Sequence, residues 1–217
     1  MEIAALILAA GKGTRMKSEI VKVMHPLAGK PMVAYPVAVA KMVGASRIAL
    51  VVGHQAERVQ EYFNRDETIS IVLQEEQLGT GHAVACAAEF LAGCDGDLLI
   101  LCGDTPLITG ETLRSLVATH NLHGAAVTLL TARLPDPFGY GRVIKGSDGR
   151  ILRIVEEKDA TPVEREIDEI NSGIYCVKAA FLREAVTRIG NDNVQQEYYL
   201  TDIIGLEIGR ASCRERV

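Results

Sequence analysis

The residues of this chain best suited to hold an anion lie near its start. Gly11, Lys12, Gly13, Thr14 and Arg15 follow directly on the apolar run Ile3–Ala10. Two closely spaced glycines let a backbone turn sharply and approach a ligand. Backbone N–H groups facing a concave loop attract anions, and Lys12 and Arg15 add positive charge. A phosphate-binding loop at the carboxyl end of a first, central strand is the chemistry this pattern suggests; the alternative is a flexible turn with basic residues. The Walker A spacing G-x-x-x-x-G-K-[ST] is absent around Gly11. The dinucleotide spacing G-x-G-x-x-G starts with Gly11 and Gly13 and then meets Met16 in place of its third glycine. The next strand candidate, Ile48–Val52, runs into Gly53-His54 without the acidic residue that would hold a ribose.

Other stretches carry chemistry of their own. Gln74 opens Gln74-Glu75-Glu76-Gln77-Leu78-Gly79-Thr80-Gly81-His82-Ala83, and its amide offers the donor and acceptor needed to read one edge of a base. Thr80 is placed to cap the helix that follows; a plain polar loop and cap is the alternative. Asp104, in Cys102-Gly103-Asp104-Thr105-Pro106, ends an apolar strand, where a carboxylate can bind Mg²⁺ alongside phosphate oxygens and water. Fixing its own turn ahead of Pro106 is the competing role. Gly141, Glu156 and Asn171 stand in Phe138–Arg142, Ile154–Ala160 and Glu169–Tyr175. A glycine backbone, a carboxylate and an amide suit sugar hydroxyls and an N-acetyl group. A surface pair with Lys158 would account for Glu156 without any ligand. His120 and His123 read as solvent-facing residues at a helix end.

These groups need elements to hold them. Strand candidates are Ile3–Leu8, Ile48–Val52, Ile69–Leu73, Leu98–Cys102 and Ala125–Ala132, and helix-compatible spacing covers Pro31–Val43, Gln55–Asn64, Gly81–Leu91 and Gly110–His120. Such alternation predicts a mostly parallel sheet with helices on both faces. Right-handed crossovers would bring the loops after each strand to one edge. After Ala132 turns come closer together, and strands are expected at Arg142–Lys145, Ile151–Glu156 and Gly173–Val177, then a helix over Ala179–Arg188 and the segment Gln195–Ile204. One continuous domain with two lobes follows, the second covering the ligand edge of the first.

Composition narrows the class. The 217 residues are 48% hydrophobic and 24% charged, with a formal net charge of -5. That length supports one sizeable α/β core, and that charge disfavours bulk binding to nucleic acid or anionic membranes. Five cysteines without C-x-x-C spacing suggest neither a disulfide framework nor a zinc site. No signal-like start or membrane-length apolar run is present, so the cytoplasm is the expected location.

The string from Leu8 to Met32 carries L-A-A-G-x-G-T-R-M, Lys22 and P-L-A-G-K-P-M, the signature of sugar nucleotidyltransferases. With Q-L-G-T-G-H-A, D-P-x-G-Y-G-R, I-V-E-x-K-D-A, E-I-N-[ST]-G and E-Y-Y-L-T-D following in order, the chain closely resembles one family. It is similar to the uridylyltransferase domain of bifunctional bacterial N-acetylglucosamine-1-phosphate uridylyltransferase / glucosamine-1-phosphate acetyltransferases, from Leu6 to about Gly205. The resemblance implies a Rossmann-like mixed, mostly parallel sheet of the nucleotide-diphospho-sugar transferase type. A nucleotide lobe would cover about 1–132 and a sugar-binding lobe about 133–208. It also implies the substrates, UTP and N-acetylglucosamine 1-phosphate, and Mg²⁺. Leu8, Ala9, Ala10, Gly11 and Gly13 would line the nucleotide, with Gln74, Gly79 and Thr80 reading uracil and Gly103 beside the ribose. Arg15 and Lys22 would act on the triphosphate and departing pyrophosphate, Asp104 would hold Mg²⁺, and Gly141, Glu156 and Asn171 would bind the amino sugar. A homo-oligomer, trimeric in the full-length family, is the implied assembly.

The chain departs from the family pattern at several points. Val21 precedes Lys22 where the family usually has proline, which is expected to loosen that turn. The family's second metal ligand, an Asn in a V-N-N segment, and its hexapeptide-repeat β-helix have no counterpart in this sequence, so a fragment without acetyl transfer is expected. The stretch 209–217 resembles no part of the family. Transfer to another sugar 1-phosphate, or nucleotide-sugar binding with weak catalysis, are the alternative functions.

Overall fold

The computed structural model describes residues 2–11, 13 and 16–207. Its elements in chain order are β1 (Ile3–Ala9), β2 (Pro26–Leu27), β3 (Lys30–Pro31), α1 (Ala34–Met42), β4 (Ala45–Val52), α2 (Ala56–Phe63), β5 (Ile69–Leu73), α3 (Thr80–Cys86), α4 (Ala88–Ala92), β6 (Asp97–Cys102) and α5 (Gly110–His123). The second half adds β7 (Val127–Arg133), β8 (Arg142–Lys145), β9 (Ile151–Val155), α6 (Pro162–Arg165), β10 (Glu169–Lys178), α7 (Ala179–Ala185) and α8 (Ile203–Glu207). Short 3-10 turns occupy Lys22–Met24, Val186–Arg188 and Leu200–Asp202.

Among the described residues one sheet of eight strands runs β5-β4-β1-β6-β10-β8-β9, with β7 on the other edge of β10. Pairing is parallel from β5 through β6, and β10 then runs antiparallel to β6, β7 and β8. The sheet therefore passes without a break from the region before Ala132 into the region after it. The first half closes by β-α-β crossovers, as the alternating pattern predicts. A pair such as β8 and β9 needs only a tight turn, supplied by the chain around Gly149 at φ +79°.

Period-two alternation explains how β1 is buried on both sides. Ala4, Leu6 and Ala10 face a core that also holds Val84, Phe90, Leu91, Leu182 and Ile203. Ala5, Ile7 and Ala9 face a second core with Val37, Ala40, Val59, Leu113 and Leu116. Helices thus cover both faces, α3, α4, α7 and α8 on one and α1, α2 and α5 on the other.

Several expected stretches differ in extent, such as β4, which begins at Ala45 where the strand was expected from Ile48. The helix expected over Gly81–Leu91 is two helices, broken at Ala87, where the backbone turns to φ -87°, ψ 18°. The strand expected from Gly173 begins earlier, at Glu169, and carries a register shift between Asn171 and Tyr175. In Gln195–Ile204, helical structure begins only at Leu200, because the backbone before it is taken up elsewhere: Tyr198 N–H donates to the Leu78 carbonyl and the Tyr198 carbonyl accepts from Gly81 N–H. The stretch 209–217 lies outside the described residues. No helix among the described residues is long and apolar enough to cross a membrane.

Candidate active site

The carboxyl ends of β1, β5 and β6 open into a cleft of about 540 Å³. Leu8, Ala9, Ala10 and Gly11 line it from the end of β1, and Gln74, Gly79 and Thr80 line it after β5. Lys22, Cys102 and Asp104 complete the wall nearest β6. Parallel pairing is the reason these distant stretches meet: strands running the same way end at the same edge.

The glycine loop has two different glycines. Gly13 sits at φ +60°, and a Cβ there would stand 2.6 Å from Lys22 Cβ, so a side chain would be strained and would push Lys22 aside. Gly11 has open space where a Cβ would project, leaving room for a ligand. Lys12, Thr14 and Arg15 lie outside the described residues, so the expected triphosphate contact of Arg15 does too. Gly103 does not line the cleft itself. Its N–H bonds the Leu8 carbonyl at 2.8 Å, and a Cβ would meet Ala9 Cβ at 3.0 Å, so it seats β6's loop against β1.

Lys22 and Asp104 form a pair, Nζ to Oδ2 2.5 Å, with both side chains a little over one-third exposed. The turn before Lys22 is not loose. Val21 takes φ -56°, the value a proline would impose, and its N–H donates to Gln55 Oε1 at 3.3 Å, a bond proline cannot make. Asp104 is an open, oxygen-only donor on the cleft wall that already draws a cation to itself. That fits one protein carboxylate for a hard divalent ion whose other positions go to phosphate and water. Cys102 beside it stays a thiol: burial first, then the Asp104 charge, push its pKa up to about 12, against the lowering pull of Lys22.

Gln74 is buried, and its Nε2 donates to the Gly79 carbonyl and meets His82 Nδ1, each at 3.1 Å. Thr80 does not cap α3. The cap position is Gly79, at φ +106°, and the Thr80 hydroxyl instead accepts from Leu200 N–H at 3.0 Å. Gly81 N–H donates to the Tyr198 carbonyl at 2.7 Å, and Tyr198 N–H to the Leu78 carbonyl at 2.8 Å. Segment 197–201 is thereby strapped across the start of α3, and Glu197 reaches the cleft wall.

The same strap leads to the second group of residues. Thr201 Oγ1 donates to Glu156 Oε1 at 3.3 Å. A Cβ on Gly141 would lie 3.2 and 3.3 Å from the two Glu156 oxygens, and Asn171 N–H donates to the Gly141 carbonyl at 2.9 Å. Gly141, Glu156 and Asn171 therefore form one cluster. Glu156 is half-buried beside Thr201, not paired on the surface with Lys158. Burial is the main force raising its pKa; the Thr201 hydrogen bond lowers it, and Asp159, Asp202 and Glu197 raise it further. The Asn171 amide is held at both ends, Nδ2 donating to Tyr175 Oη at 2.9 Å and Oδ1 accepting from Gly173 N–H at 2.8 Å. A Cβ on Gly173 would stand 2.9 Å from Cys102 Sγ, so this cluster abuts the cleft at β6.

His120 is fully buried, contrary to the solvent-facing position expected from its place near a helix end. It packs against β6 and β7 at the edge of the sheet away from the cleft. Nδ1 lies 2.8 Å from Thr128 Oγ1 and Nε2 lies 3.6 Å from Asp97 Oδ1. Cys176 completes a buried trio with them, and Lys178 Nζ holds Asp97 Oδ1 at 2.6 Å. An ammonium already seated on the carboxylate makes this a structural ion-pair network.

With this geometry in place, a family model for the MobA-like NTP transferase domain matches residues 5–161. The chain belongs to this family. The chain is 68% identical over 202 residues to a Geobacter sulfurreducens relative named "Bifunctional protein GlmU", covering 93% of this chain and 42% of the relative. A Geobacter metallireducens relative of the same name is 66% identical over 203 residues, covering 94% of this chain and 43% of its own length. The chain thus spans less than half the length of these relatives. A solved apo structure of UDP-glucose pyrophosphorylase shares the fold, with a TM-score of 0.81, 20% identity, and coverage of 98% of this chain and 89% of that one.

Several residues of the chain take a place that the sequence alone does not assign. Arg142 is 2% exposed and pairs with Glu157 at 2.7 Å, bracing the turn that carries Gly141. Tyr175 is buried against Asn171, and Thr201 against Glu156. The motifs that carry Arg142 and Thr201, D-P-x-G-Y-G-R and E-Y-Y-L-T-D, are visible in the sequence; their partners Glu157 and Glu156 lie 15 and 45 residues away in the chain, which spacing cannot reveal.

Proposed function

We infer that this chain transfers a uridylyl group from UTP to N-acetylglucosamine 1-phosphate, giving UDP-N-acetylglucosamine and pyrophosphate. The observation that carries the reading is the cleft, which joins the Gln74 amide, the glycine loop and the Lys22–Asp104 pair at one strand edge, with the Glu156 cluster next to it. A phosphate oxygen of the sugar phosphate attacks the α-phosphorus, and the bond to the bridging oxygen of the β-phosphate breaks as pyrophosphate leaves. Such a displacement asks for positioning and charge neutralisation more than for a covalent nucleophile. The neutral Cys102 thiol accords with that.

Leu8, Ala9, Ala10, Gly11 and Gly13 shape the nucleotide side, Gln74, Gly79 and Thr80 meet the base, and Gly103 supports the ribose end. Lys22 leaves Asp104 for the triphosphate, joined by Arg15. Asp104 would hold Mg²⁺, which when bound neutralises phosphate charge. Gly141, Glu156 and Asn171 receive the amino sugar. A cytoplasmic setting and homo-oligomeric assembly belong to the same proposal.

The test is pyrophosphate release from a panel of nucleoside triphosphates and sugar 1-phosphates. UTP with N-acetylglucosamine 1-phosphate is expected to exceed TTP with glucose 1-phosphate, and Asp104→Asn to remove most divalent-ion-dependent turnover while the protein stays folded. Equal or reversed rates overturn the substrate assignment. Full activity in the folded Asp104→Asn variant makes Asp104 a turn residue.

A further inference from the structure

The Gln74 amide has only one orientation compatible with its neighbours. The atom 3.1 Å from the Gly79 carbonyl must be Nε2, because a carbonyl oxygen only accepts. The same nitrogen is 3.1 Å from His82 Nδ1, and its second hydrogen points there. His82 Nδ1 therefore presents a lone pair, and the ring proton of the neutral imidazole sits on Nε2. That Nε2 lies 3.8 Å from Cys86 Sγ, one turn along α3, where sulfur serves as a weak acceptor. Burial keeps Cys86 a thiol. Tyr198 from the strap flanks the imidazole, ring centroids 6.4 Å apart. Both Gln74 donors are thus consumed inside the protein. Gln74 is only 3% exposed yet lines the cleft, and Oε1, which makes no hydrogen bond among the described residues, is what it can offer a ligand.

We propose that His82 is a specificity-determining positioning residue, whose Nδ1 lone pair locks the Gln74 amide so that the cleft meets a base with an acceptor. Flipping the amide would set Oε1 against two acceptors at once, the Gly79 carbonyl and His82 Nδ1. The locked acceptor selects a base whose facing ring nitrogen carries a hydrogen, as N3 of uracil does. Cytosine in the same pose sets its N3 lone pair against Oε1. This inference rests on the reading of the cleft as a base-binding site.

The experiment compares UTP and CTP binding by calorimetry in the unaltered chain, His82→Leu and His82→Asn, with urea unfolding of each. Leucine removes the acceptor; the asparagine Oδ1 stands in for Nδ1. The UTP-over-CTP preference is expected to fall about tenfold in the leucine variant and to return in the asparagine variant. A leucine variant that folds and keeps the full preference overturns the role of His82 alone. Absence of any preference in the unaltered chain overturns the base-site reading and the proposal with it. Ring ¹⁵N shifts of His82 in the unaltered chain give a readout that no variant has to survive: the Nε2–H tautomer supports the lock, and the Nδ1–H tautomer refutes it.

Discussion

At the scale of single residues, Glu156 shows how a site holds a group against its own stability. Burial and three acidic neighbours raise its carboxyl pKa, and one Thr201 hydroxyl only partly offsets them. An acid whose folded pKa is raised binds more protons folded than unfolded, so the carboxylate costs stability as pH rises through that window. Glu156→Gln is therefore expected to raise the urea midpoint at pH 7. It is also expected to weaken sugar 1-phosphate binding, since a hydrogen bond to a charged group is worth about 1.5–3 kcal/mol, roughly a tenfold or greater rise in KM. Chemical unfolding and a KM measurement on one preparation check both halves. A midpoint that falls while KM holds would make Glu156 a structural residue.

At the scale of elements, the strap 197–201 connects α3 to the Glu156 cluster through Thr80, Gly81 and Thr201. Thr80→Val keeps the shape of the side chain and removes the acceptor for Leu200 N–H. Leaving such a donor unpaired costs about 1–3 kcal/mol. Because the strap touches both groups, KM is expected to rise for nucleotide and sugar phosphate alike, and Thr80→Ser should restore both. Steady-state kinetics with each substrate varied in turn decides this; a change confined to the nucleotide would mean that Thr80 acts on the base side only. The strap is also where the sequence was least readable. Thr80 looked like a helix cap, because a threonine ahead of an apolar run usually is one. Its partner 120 residues away took the hydroxyl instead, and a glycine at φ +106° closed the helix start.

At the scale of the molecule, the sheet places the candidate cleft at one edge and a buried ion network at the other. Burial lowers the His120 pKa most; Asp97 opposes that and Lys178 adds to it. A histidine depressed in the folded state takes up its proton on unfolding. Its contribution to stability is present above the unfolded value of about 6.5 and is lost as pH falls below it. Thermal or urea stability is accordingly expected to fall from pH 7 toward pH 5 and to fall less in His120→Gln. Identical slopes for the two proteins would remove His120 as the source. Glu156 titrates with the opposite sign, so the comparison is best repeated in Glu156→Gln.

What the residues determined by themselves was whatever depends on near neighbours. Alternating apolar runs specified β5 and β8 to the residue, and the glycine spacing marked the loop where Gly13 takes φ +60°. Chain-local patterns record strand period, turn chemistry and motif order, because these arise from contacts within a few residues. Tertiary structure alone decided which atoms meet. It put Lys22 on Asp104 and His120 inside the sheet. It broke the α3–α4 helix at Ala87, and it spent the Gln74 donors on Gly79 and His82. Those outcomes depend on how parallel strands align their ends and on which side chains compete for each donor, and neither is encoded at any fixed spacing along the chain.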